Sequence, residues 1–218
     1  RSTLFPYTTL FRSRDKPSEI DWDSLPNQFV LKTTHDSGGI VICKDKTKLD
    51  KNAALKKLEY AITHDNYSIT REWPYKNVAR RIIAEEYIEP SQGTNDLPDY
   101  KFFCFDGKVK ALFVATDRQN PNEEVKFDFF DADFNSLPVR QGHDHAKILP
   151  RKPSCFETMK TIAEKLSEGM PHLRVDLYDV NGKVLFGELT FFHFGGFKPF
   201  EPEEWDYTFG QWLNLPEK

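Results

Sequence analysis

One segment constrains the fold of this chain more than any other: residues 173–192, in which two runs rich in apolar residues flank the pair Asn181-Gly182. An Asn-Gly pair between such runs is the strongest short-range signal for a β-hairpin. Side chains alternate between the two faces of a strand, so the pairing register decides which residues lie together. The segment predicts an antiparallel hairpin with one apolar and one polar face.

Two registers are possible for this hairpin. In a two-residue turn, Val180 pairs with Lys183 and Asp176 pairs with Gly187, so Glu188 lies on the opposite face from Asp176. The alternative is a three-residue loop, residues 180–182, in which Gly182 adopts the left-handed conformation and forms a bulge. We favour the bulged register because it gathers the apolar side chains on one face: Leu173, Val175, Leu177, Leu185 and Leu189.

The bulged register sets Asp176 opposite Phe186 and Arg174 opposite Glu188, and it places Thr190 on the same polar face. Mg²⁺ binds one or two carboxylates together with phosphate oxygens and water, and an arginine beside it can neutralise phosphate oxygens. The polar face therefore predicts a magnesium–phosphate site. The alternative is an exposed hairpin face on which Arg174 pairs only with Glu188.

A glycine-containing loop is the second candidate site. Lys32 ends an apolar strand, residues 29–32, and a polar loop separates it from a second strand at residues 40–43. Backbone N–H groups of such a loop can approach phosphate oxygens, and a lysine supplies the cation. The spacing is not that of the strand-to-helix phosphate loop, which argues against a P-loop enzyme. The alternative is a Gly-Gly hairpin turn with a solvated lysine.

Composition limits the possible partners. With a net charge of −4 and both signs interspersed, the chain is not expected to bind nucleic acid in general. No apolar run approaches the roughly 20 residues that a membrane-spanning helix needs. Cys43, Cys104 and Cys155 are scattered and form no Cys-x-x-Cys pair, which excludes a disulfide framework and fits a reducing cytoplasm.

Residues 1–13 differ in composition from the polar residues that follow them, and they resemble the conceptual translation of a sequencing adapter. Pro6 and Arg12 interrupt any apolar stretch, which argues against a signal peptide. We expect that this segment does not belong to the natural protein, and that genuine upstream sequence is missing.

The remaining segments alternate between hairpins and single helices. Asp50 is a plausible N-cap for a helix that reaches residue 63, and Ser154 has capping-box spacing to Glu157 before a helix that ends near residue 169. Asp106-Gly107 predicts a hairpin turn. Further strands are expected at residues 82–84, 101–105, 108–116 and 127–130. Strands joined by successive hairpins, with a helix after each sheet segment, predict an α+β fold.

Together these motifs resemble the ATP-grasp superfamily and, within it, the TupA-like ATP-grasp family associated with bacterial surface-polymer synthesis. The resemblance covers about residues 25–199, and residues 80–85 and 97–103 look close to the narrower family. Residues 174–177 with 188–190 are similar to the closing motif, Asp…Glu-x-Asn. The resemblance thus implies Mg²⁺ ligands from the following residues: Asp176, Glu188 and Thr190.

The same resemblance implies the contacts to ATP. Residues 29–32 resemble the strand that carries the nucleotide lysine, and residues 35–39 resemble the flexible loop over the phosphates. Residues 85–88 resemble the hinge that holds adenine. The implied nucleotide contacts are Lys32, His35, Ser37, Gly38, Gly39, Glu85, Glu86, Tyr87 and Ile88. Lys101 and Arg118 lie around a hairpin similar to one in glutamate-ligating relatives and, with Arg174, would face the transferred phosphate.

The chain departs from the superfamily pattern in two ways. Thr190 stands where most members have Asn, and an earlier phosphate lysine with its subdomain would lie upstream of Lys32. The implied fold is therefore an ATP-grasp fold of two α+β subdomains whose N-terminal subdomain is largely missing. We expect an upstream remnant, a small subdomain, a C-terminal subdomain and a tail at residues 14–27, 28–88, 89–200 and 201–218.

The activity that the resemblance implies is an ATP- and Mg²⁺-dependent carboxylate–amine ligase that acts through an acylphosphate. It further implies that an amino acid or peptide is joined to a cell-surface polysaccharide precursor, as in teichuronopeptide synthesis, in the cytoplasm. The alternatives are an ATP-grasp kinase, a protein associated with glycosyl transfer in the same pathways, or a non-catalytic nucleotide-binding module.

Some polar residues are expected to have no chemical role. His143 and His145 have no third metal ligand at a suitable spacing and predict a polar loop. His193, directly after the carboxylate motif, could contact substrate. Cys43 and Cys104 lie in strands and predict small buried side chains rather than nucleophiles.

Overall fold

The computed structural model describes residues 10–36, 38–90, 97–118 and 123–215. Along the chain, a division between Ile88 and Glu89 separates two compact units. Each unit has its own antiparallel sheet and its own hydrophobic core. The fold class is α+β, which confirms the prediction from the hairpin pattern.

The unit before Glu89 contains a sheet of four strands in the order β1-β4-β2-β3. Its strands and helices are β1 (Leu10–Arg14), β2 (Phe29–Thr33), β3 (Ile40–Cys43), α1 (Lys51–Thr63), α2 (Asn66–Thr70) and β4 (Ile82–Glu86). On β2, Phe29 and Leu31 are buried and pack with Leu58 of α1. Asp50 caps α1 as predicted, since its carboxylate accepts from the amide of Ala53 at 2.9 Å.

Strand β1 overlaps the segment that resembles a translated adapter. It pairs antiparallel with β4, with Arg14 opposite Ile82 and Ser13 opposite Ile83. Residues 1–9 lie outside the described residues. The origin of residues 1–13 stays a prediction.

The unit after Ile88 contains a sheet of five strands in the order β7-β6-β5-β8-β9. Its strands and helices are β5 (Asp99–Phe105), β6 (Lys108–Thr116), β7 (Lys126–Asp131), α3 (Phe156–Leu166), β8 (His172–Val180), β9 (Lys183–Thr190) and α4 (Glu204–Trp212). Helix α3 packs on one face, against Phe102 and Val175. The opposite face carries an aromatic layer that includes Phe103, Phe113 and Phe209 of α4.

Two predictions in this unit need correction. Helix α3 begins after Cys155, and its N-cap makes no side-chain hydrogen bond, so the predicted capping box at Ser154 is wrong. The first turn is instead preceded by a backbone hydrogen bond, in which the amide of Phe156 donates to the carbonyl of Pro153 at 3.1 Å. The tail from residue 201 contains α4, which was not predicted.

The register of the β8–β9 hairpin differs from the one favoured above. Val180 pairs with Lys183, so the turn has two residues, and both Asn181 and Gly182 have positive φ, at 54° and 80°. Such a turn matches the twist of the flanking strands, which is why the predicted three-residue loop does not form. The predicted bulge at Gly182 is wrong.

A bulge nevertheless exists, further along β9. Leu177 pairs with Phe186, whereas Asp176 pairs with Glu188, so Gly187 is the extra residue. A Cβ at position 187 would lie 3.0 Å from the carbonyl oxygen of Asp176, which favours glycine. Because of this bulge, Glu188 lies on the same face as Asp176, as predicted, although the predicted bulge was at Gly182.

The apolar face of the hairpin also differs in part. Leu173, Val175 and Leu177 are buried as predicted. Leu185 pairs with Tyr178 and is therefore on the other face, while Leu189 is 38% exposed. The core positions on β9 are instead Val184 and Phe186.

All three cysteines are free and buried, which confirms the prediction made for Cys43 and Cys104. Among the described residues, none of the helices has the length and apolar character to span a bilayer.

Candidate functional site

A group of charged side chains lies on one face of the five-stranded sheet. On β5, Asp99 and Lys101 share this face because they are two residues apart. The strand register places Lys101 opposite Asp176 of β8, and Asp176 opposite Glu188 of β9. The charged group is Asp99, Lys101, Arg118, Arg174, Asp176 and Glu188. Alternation within the strands is what brings the strand members together.

Asp176 lies at the centre of this group and is completely buried. Its carboxylate accepts from Nζ of Lys101 and, at 2.8 Å each, from Nε and Nη2 of Arg174. Burial acts to raise the pKa of Asp176, but the positive charges of Lys101 and Arg174 outweigh it and lower that pKa below its usual value. Asp176 is therefore ionised at neutral pH.

Asp99 is the second buried carboxylate. Its Oδ2 accepts from Lys101 at 2.7 Å and from Arg118 at 2.6 Å, while Oδ1 is buried with no hydrogen-bond partner among the described residues. Burial raises the pKa of Asp99, and the nearby charge of Asp176 adds to the shift. Lys101 is thus shared between two acidic groups, Asp99 on its own strand and Asp176 on the neighbouring strand β8.

The predicted metal ligands surround one atom, Nη2 of Arg174. That nitrogen lies 2.8 Å from Oδ2 of Asp176, 3.0 Å from Oε1 of Glu188 and 2.8 Å from Oγ1 of Thr190. These are hard oxygen donors of the kind that Mg²⁺ prefers, and the Glu188 side chain is 61% exposed, which leaves it free to rotate. The three oxygens fit Mg²⁺ because they are of the right type and point to a common centre. In this structure Nη2 of Arg174 occupies that centre and supplies the positive charge.

The other edge of Arg174 contacts His193. Nη1 of Arg174 lies 2.5 Å from Nδ1 of His193, and Nε2 of His193 lies 2.6 Å from Oε1 of Gln141. Gln141 is 2% exposed and stands in an irregular segment, so no periodic pattern in the sequence pointed to it. Substrate contact was only one possibility for His193; the structure places it against Arg174.

In the smaller unit, Lys32 and Glu85 form an ion pair, with Nζ and Oε2 2.6 Å apart. Their strand neighbours Leu31 and Ala84 are buried in the core with α1, so the pair faces away from that core. The family resemblance implies that Lys32 contacts the phosphates and Glu85 the adenine. The structure brings the two side chains together on adjacent strands.

The loop after β2 is held by its own hydrogen bonds. Oδ1 of Asp36 accepts from Oγ1 of Thr33 and, at 3.0 Å, from the amide of Gly39. A Cβ at Gly39 would lie 2.6 Å from that of Ala61, so close packing against α1 requires this glycine. Gly38 is exposed. Of the other predicted phosphate contacts, Ser37 lies outside the described residues.

His35 and the hinge segment complete the predicted nucleotide contacts. His35 is buried and its Nε2 lies 3.0 Å from the carbonyl oxygen of His64, to which it donates. Strand β4 ends at the exposed Glu86, after which Tyr87 is buried with Nζ of Lys44 5.5 Å from its ring centre. Ile88 follows. The nucleotide contacts of these residues stay predictions.

The model of the TupA-like ATPgrasp family matches residues 11–214, and the chain belongs to that family. The match confirms the predicted resemblance. Among curated protein sequences, no significant match to the chain is found.

Solved structures similar to this chain include D-alanine–D-alanine ligase from Bacillus anthracis and the ATP-grasp ligase PsnB. One structure of the B. anthracis enzyme has a TM-score of 0.48 and 16% identity, over 96% of this chain and 60% of that chain. A second, complexed with ATP, has a TM-score of 0.45 and 14% identity, over 85% and 48%. PsnB complexed with minimal precursor, Mg and ADP has a TM-score of 0.45 and 11% identity, over 86% and 45%. The chain therefore spans about half the length of the solved structures it matches.

Proposed function

We propose that this chain is part of an ATP- and Mg²⁺-dependent ligase that joins a carboxylate to an amine. The observation that carries the proposal is the convergence of Lys101, Arg118 and Arg174 with Asp176 and Glu188 on one sheet face. Cations beside oxygen ligands for a metal are what transfer of a phosphoryl group requires. Membership of an ATP-grasp family supports the assignment.

The chemistry consists of two displacements. A carboxylate oxygen attacks the γ-phosphorus of ATP, the bond to ADP breaks, and an acylphosphate forms. The amine nitrogen then attacks the acyl carbon, inorganic phosphate leaves, and the amine proton passes to solvent. Lys101, Arg118 and Arg174 would stabilise the charge on the transferred phosphoryl group by position alone.

Asp176, Glu188 and Thr190 would hold Mg²⁺, which when bound neutralises phosphate oxygens. Lys32 and residues 35–39 would contact the phosphates of ATP, and residues 85–88 would hold its adenine. Because Arg174 now donates to all three metal ligands, its Nη2 and the metal compete for the same oxygens. Nη2 of Arg174 would therefore donate to phosphate oxygens instead when the metal is bound, with Nη1 still on His193.

We further propose that the substrates are an amino acid or peptide and a saccharide precursor of a bacterial surface polymer, joined in the cytoplasm. The support for this narrower statement is the TupA-like family match alone.

The test uses the natural full-length protein with ATP, Mg²⁺ and a panel of amino acids and hexuronic acids. ADP and free phosphate should appear only when a carboxylate and an amine are both present. Phosphate retained on the acceptor would instead show a kinase. ATP binding without turnover, unchanged in Asp176→Ala and Glu188→Ala, would show a non-catalytic module. Glu157→Gln, an exposed carboxylate on α3, is the matched control.

A further inference from the structure

A continuous series of hydrogen bonds leads from Arg174 into the body of the larger unit. Nη1 of Arg174 meets Nδ1 of His193 at 2.5 Å, and Nε2 of His193 meets Oε1 of Gln141 at 2.6 Å. Nε2 of Gln141 then donates to the carbonyl oxygen of Lys198 at 2.8 Å. The series ends on backbone, whose position does not depend on a side-chain rotamer.

The direction of each bond follows from the chemistry of the groups. A guanidinium only donates, so Nδ1 of His193 must accept and the ring proton must be on Nε2. That proton is donated to Oε1 of Gln141, whose amide nitrogen is then left to donate to Lys198. A single tautomer of His193 satisfies every member, and the opposite tautomer would set two donors against each other.

Aromatic packing, in addition to the hydrogen bonds, fixes the orientation of the His193 ring. The centroid of His193 lies 5.0 Å from that of Phe103, edge to face, and 5.4 Å from that of Phe113. Arg174 itself lies 5.8 Å from the centre of Phe113. The guanidinium is therefore held on one edge by Asp176 and on the other by His193.

A neutral acceptor at this position has a specific advantage. Burial lowers the pKa of His193 to about 2, and the positive charge of Arg174 lowers it as well, so the ring stays neutral. A carboxylate here would add a third negative charge to those of Asp176 and Glu188 around Arg174, and a protonated imidazole would repel the guanidinium. A neutral ring orients the guanidinium without adding charge of either sign.

We propose that His193, in its Nε2-protonated tautomer, is a positioning residue for Arg174, and that Gln141 holds the His193 ring in place by accepting its Nε2 proton in a hydrogen bond. The effect on turnover rests on the proposed ligase function. The tautomer does not, because it is a property of the protein without substrates.

The first test measures the tautomer by long-range ¹H–¹⁵N correlation spectra of the ¹⁵N-labelled chain at neutral pH. His193 is expected to show the Nε2–H pattern. His172 lies on the same sheet face, and its Nδ1 is 3.0 Å from the carbonyl oxygen of Cys104, so it should show the Nδ1–H pattern and serves as the internal comparison. An Nδ1–H pattern, or a mixture, at His193 would overturn the proposal. Gln141→Leu removes the acceptor of the Nε2 proton, while Arg174 still requires Nδ1 to accept. The tautomer should therefore persist, and the Nε2 proton should exchange faster with water; an unchanged exchange rate would show that Gln141 does not hold the ring.

The second test compares two substitutions of similar polarity in the full-length protein. His193→Asn places an amide oxygen near the position of Nδ1, whereas His193→Gln places its amide near Nε2 and leaves Arg174 without an acceptor. We expect Asn to keep kcat within about threefold of the wild type. We expect Gln to lower kcat about ten- to hundredfold, the range for a hydrogen bond to a charged group, with little change in KM for ATP.

Equal losses in both variants, or a rise in KM for the acceptor alone, would show that His193 contacts substrate and would overturn the positioning role. Thermal unfolding of both variants identifies any loss that comes from folding. Absence of turnover in the wild type would refute the ligase proposal, while the spectra would still decide the tautomer.

Discussion

Lys101 neutralises two buried carboxylates at once, and this sharing makes the cluster sensitive to single residues. The sequence placed Asp176, Glu188 and Arg174 on one face, but through a bulge at Gly182, whereas the structure achieves it through a bulge at Gly187. The sequence was not sufficient for Gln141, which reaches the cluster from an irregular segment. Long-range contacts from such segments depend on tertiary packing that no local pattern encodes.

Lys101→Met removes the shared cation and leaves Asp99 and Asp176 with one arginine partner each. We expect a loss of about 3–5 kcal/mol in the free energy of unfolding, as for other broken buried ion pairs, together with loss of turnover. Urea denaturation followed by circular dichroism measures the first effect. Lys108→Met, which removes an exposed pair with Glu164, should cost about 1 kcal/mol or less. Equal costs for the two variants would contradict the shared role of Lys101.

Asp128 gives a prediction about pH. Burial raises its pKa, although the amide of Ala146 and the neighbouring His145 act to lower it. The folded protein therefore keeps a proton on this carboxyl where the unfolded chain has lost it. The stability that Asp128 contributes is present below the unfolded pKa and is lost as pH rises through the folded pKa. Asp128→Asn should thus stabilise the protein more at pH 7 than at about pH 4.

The control for this measurement is Asp131→Asn. Burial acts to raise the pKa of Asp131, but hydrogen bonds from Asn135 and Asp133 outweigh it and lower that pKa. Its stability contribution is present above the unfolded pKa and is lost as pH falls, so this variant should be more destabilised at pH 7 than at about pH 4. The measurement is the change in unfolding free energy that each substitution causes, at both pH values. From about pH 4 to pH 7 this change should become more favourable for Asp128→Asn and less favourable for Asp131→Asn. Parallel changes would contradict the assignment.

At the scale of elements, the β8–β9 hairpin shows what a sequence can and cannot decide. Hydrophobic sorting favoured a bulge because a bulged register gathers the apolar side chains on one face. It placed the bulge at Gly182, whereas the structure has it at Gly187, the other glycine that permits one. Asn181 and Gly182 both adopt positive φ and form a two-residue turn, so the extra residue of the hairpin is at Gly187.

Gly187→Ala tests the bulge. The added Cβ would lie 3.0 Å from the carbonyl oxygen of Asp176 and 3.1 Å from the ring of Tyr178. We expect a loss of about 1–3 kcal/mol in the free energy of unfolding, the usual cost of overpacking, and a fall in turnover as Glu188 shifts. Gly210→Ala on α4, where nothing lies within 4 Å, should instead stabilise by about 0.5–1 kcal/mol. Denaturant titration of both variants gives the comparison.

At the scale of the whole chain, the two sheets and the family follow from the sequence, whereas the C-terminal helix was overlooked. Trp205, Phe209 and Trp212 have the spacing of one helix face, which was the available signal. Their acidic surroundings and the position of the segment at the end of the chain obscured it. Helix α4 completes the aromatic layer, because its Phe209 packs in the same cluster as Phe103. Phe103 in turn contacts the ring of His193.

Phe209→Ala measures how much that layer contributes. Phe209 is 7% exposed and packs against Phe103, Phe200 and Trp212. Truncation should cost about 3–5 kcal/mol in the free energy of unfolding. Tyr207→Ala on the same helix, at a position 67% exposed, should change it by about 0.5 kcal/mol or less. A small cost at Phe209 would mean that α4 is dispensable for this core.

The separation between the turn at Asn181-Gly182 and the bulge at Gly187 has a practical use in protein engineering. Register near the charged cluster is set at the bulge, so the outer part of the hairpin can be lengthened by matched residues on both strands without changing which side chains face Arg174. The exposed tip is consequently a suitable attachment point for a fluorophore, an epitope or a surface linker. A reporter placed there would move with the strands that carry Asp176 and Glu188 while leaving their chemistry untouched.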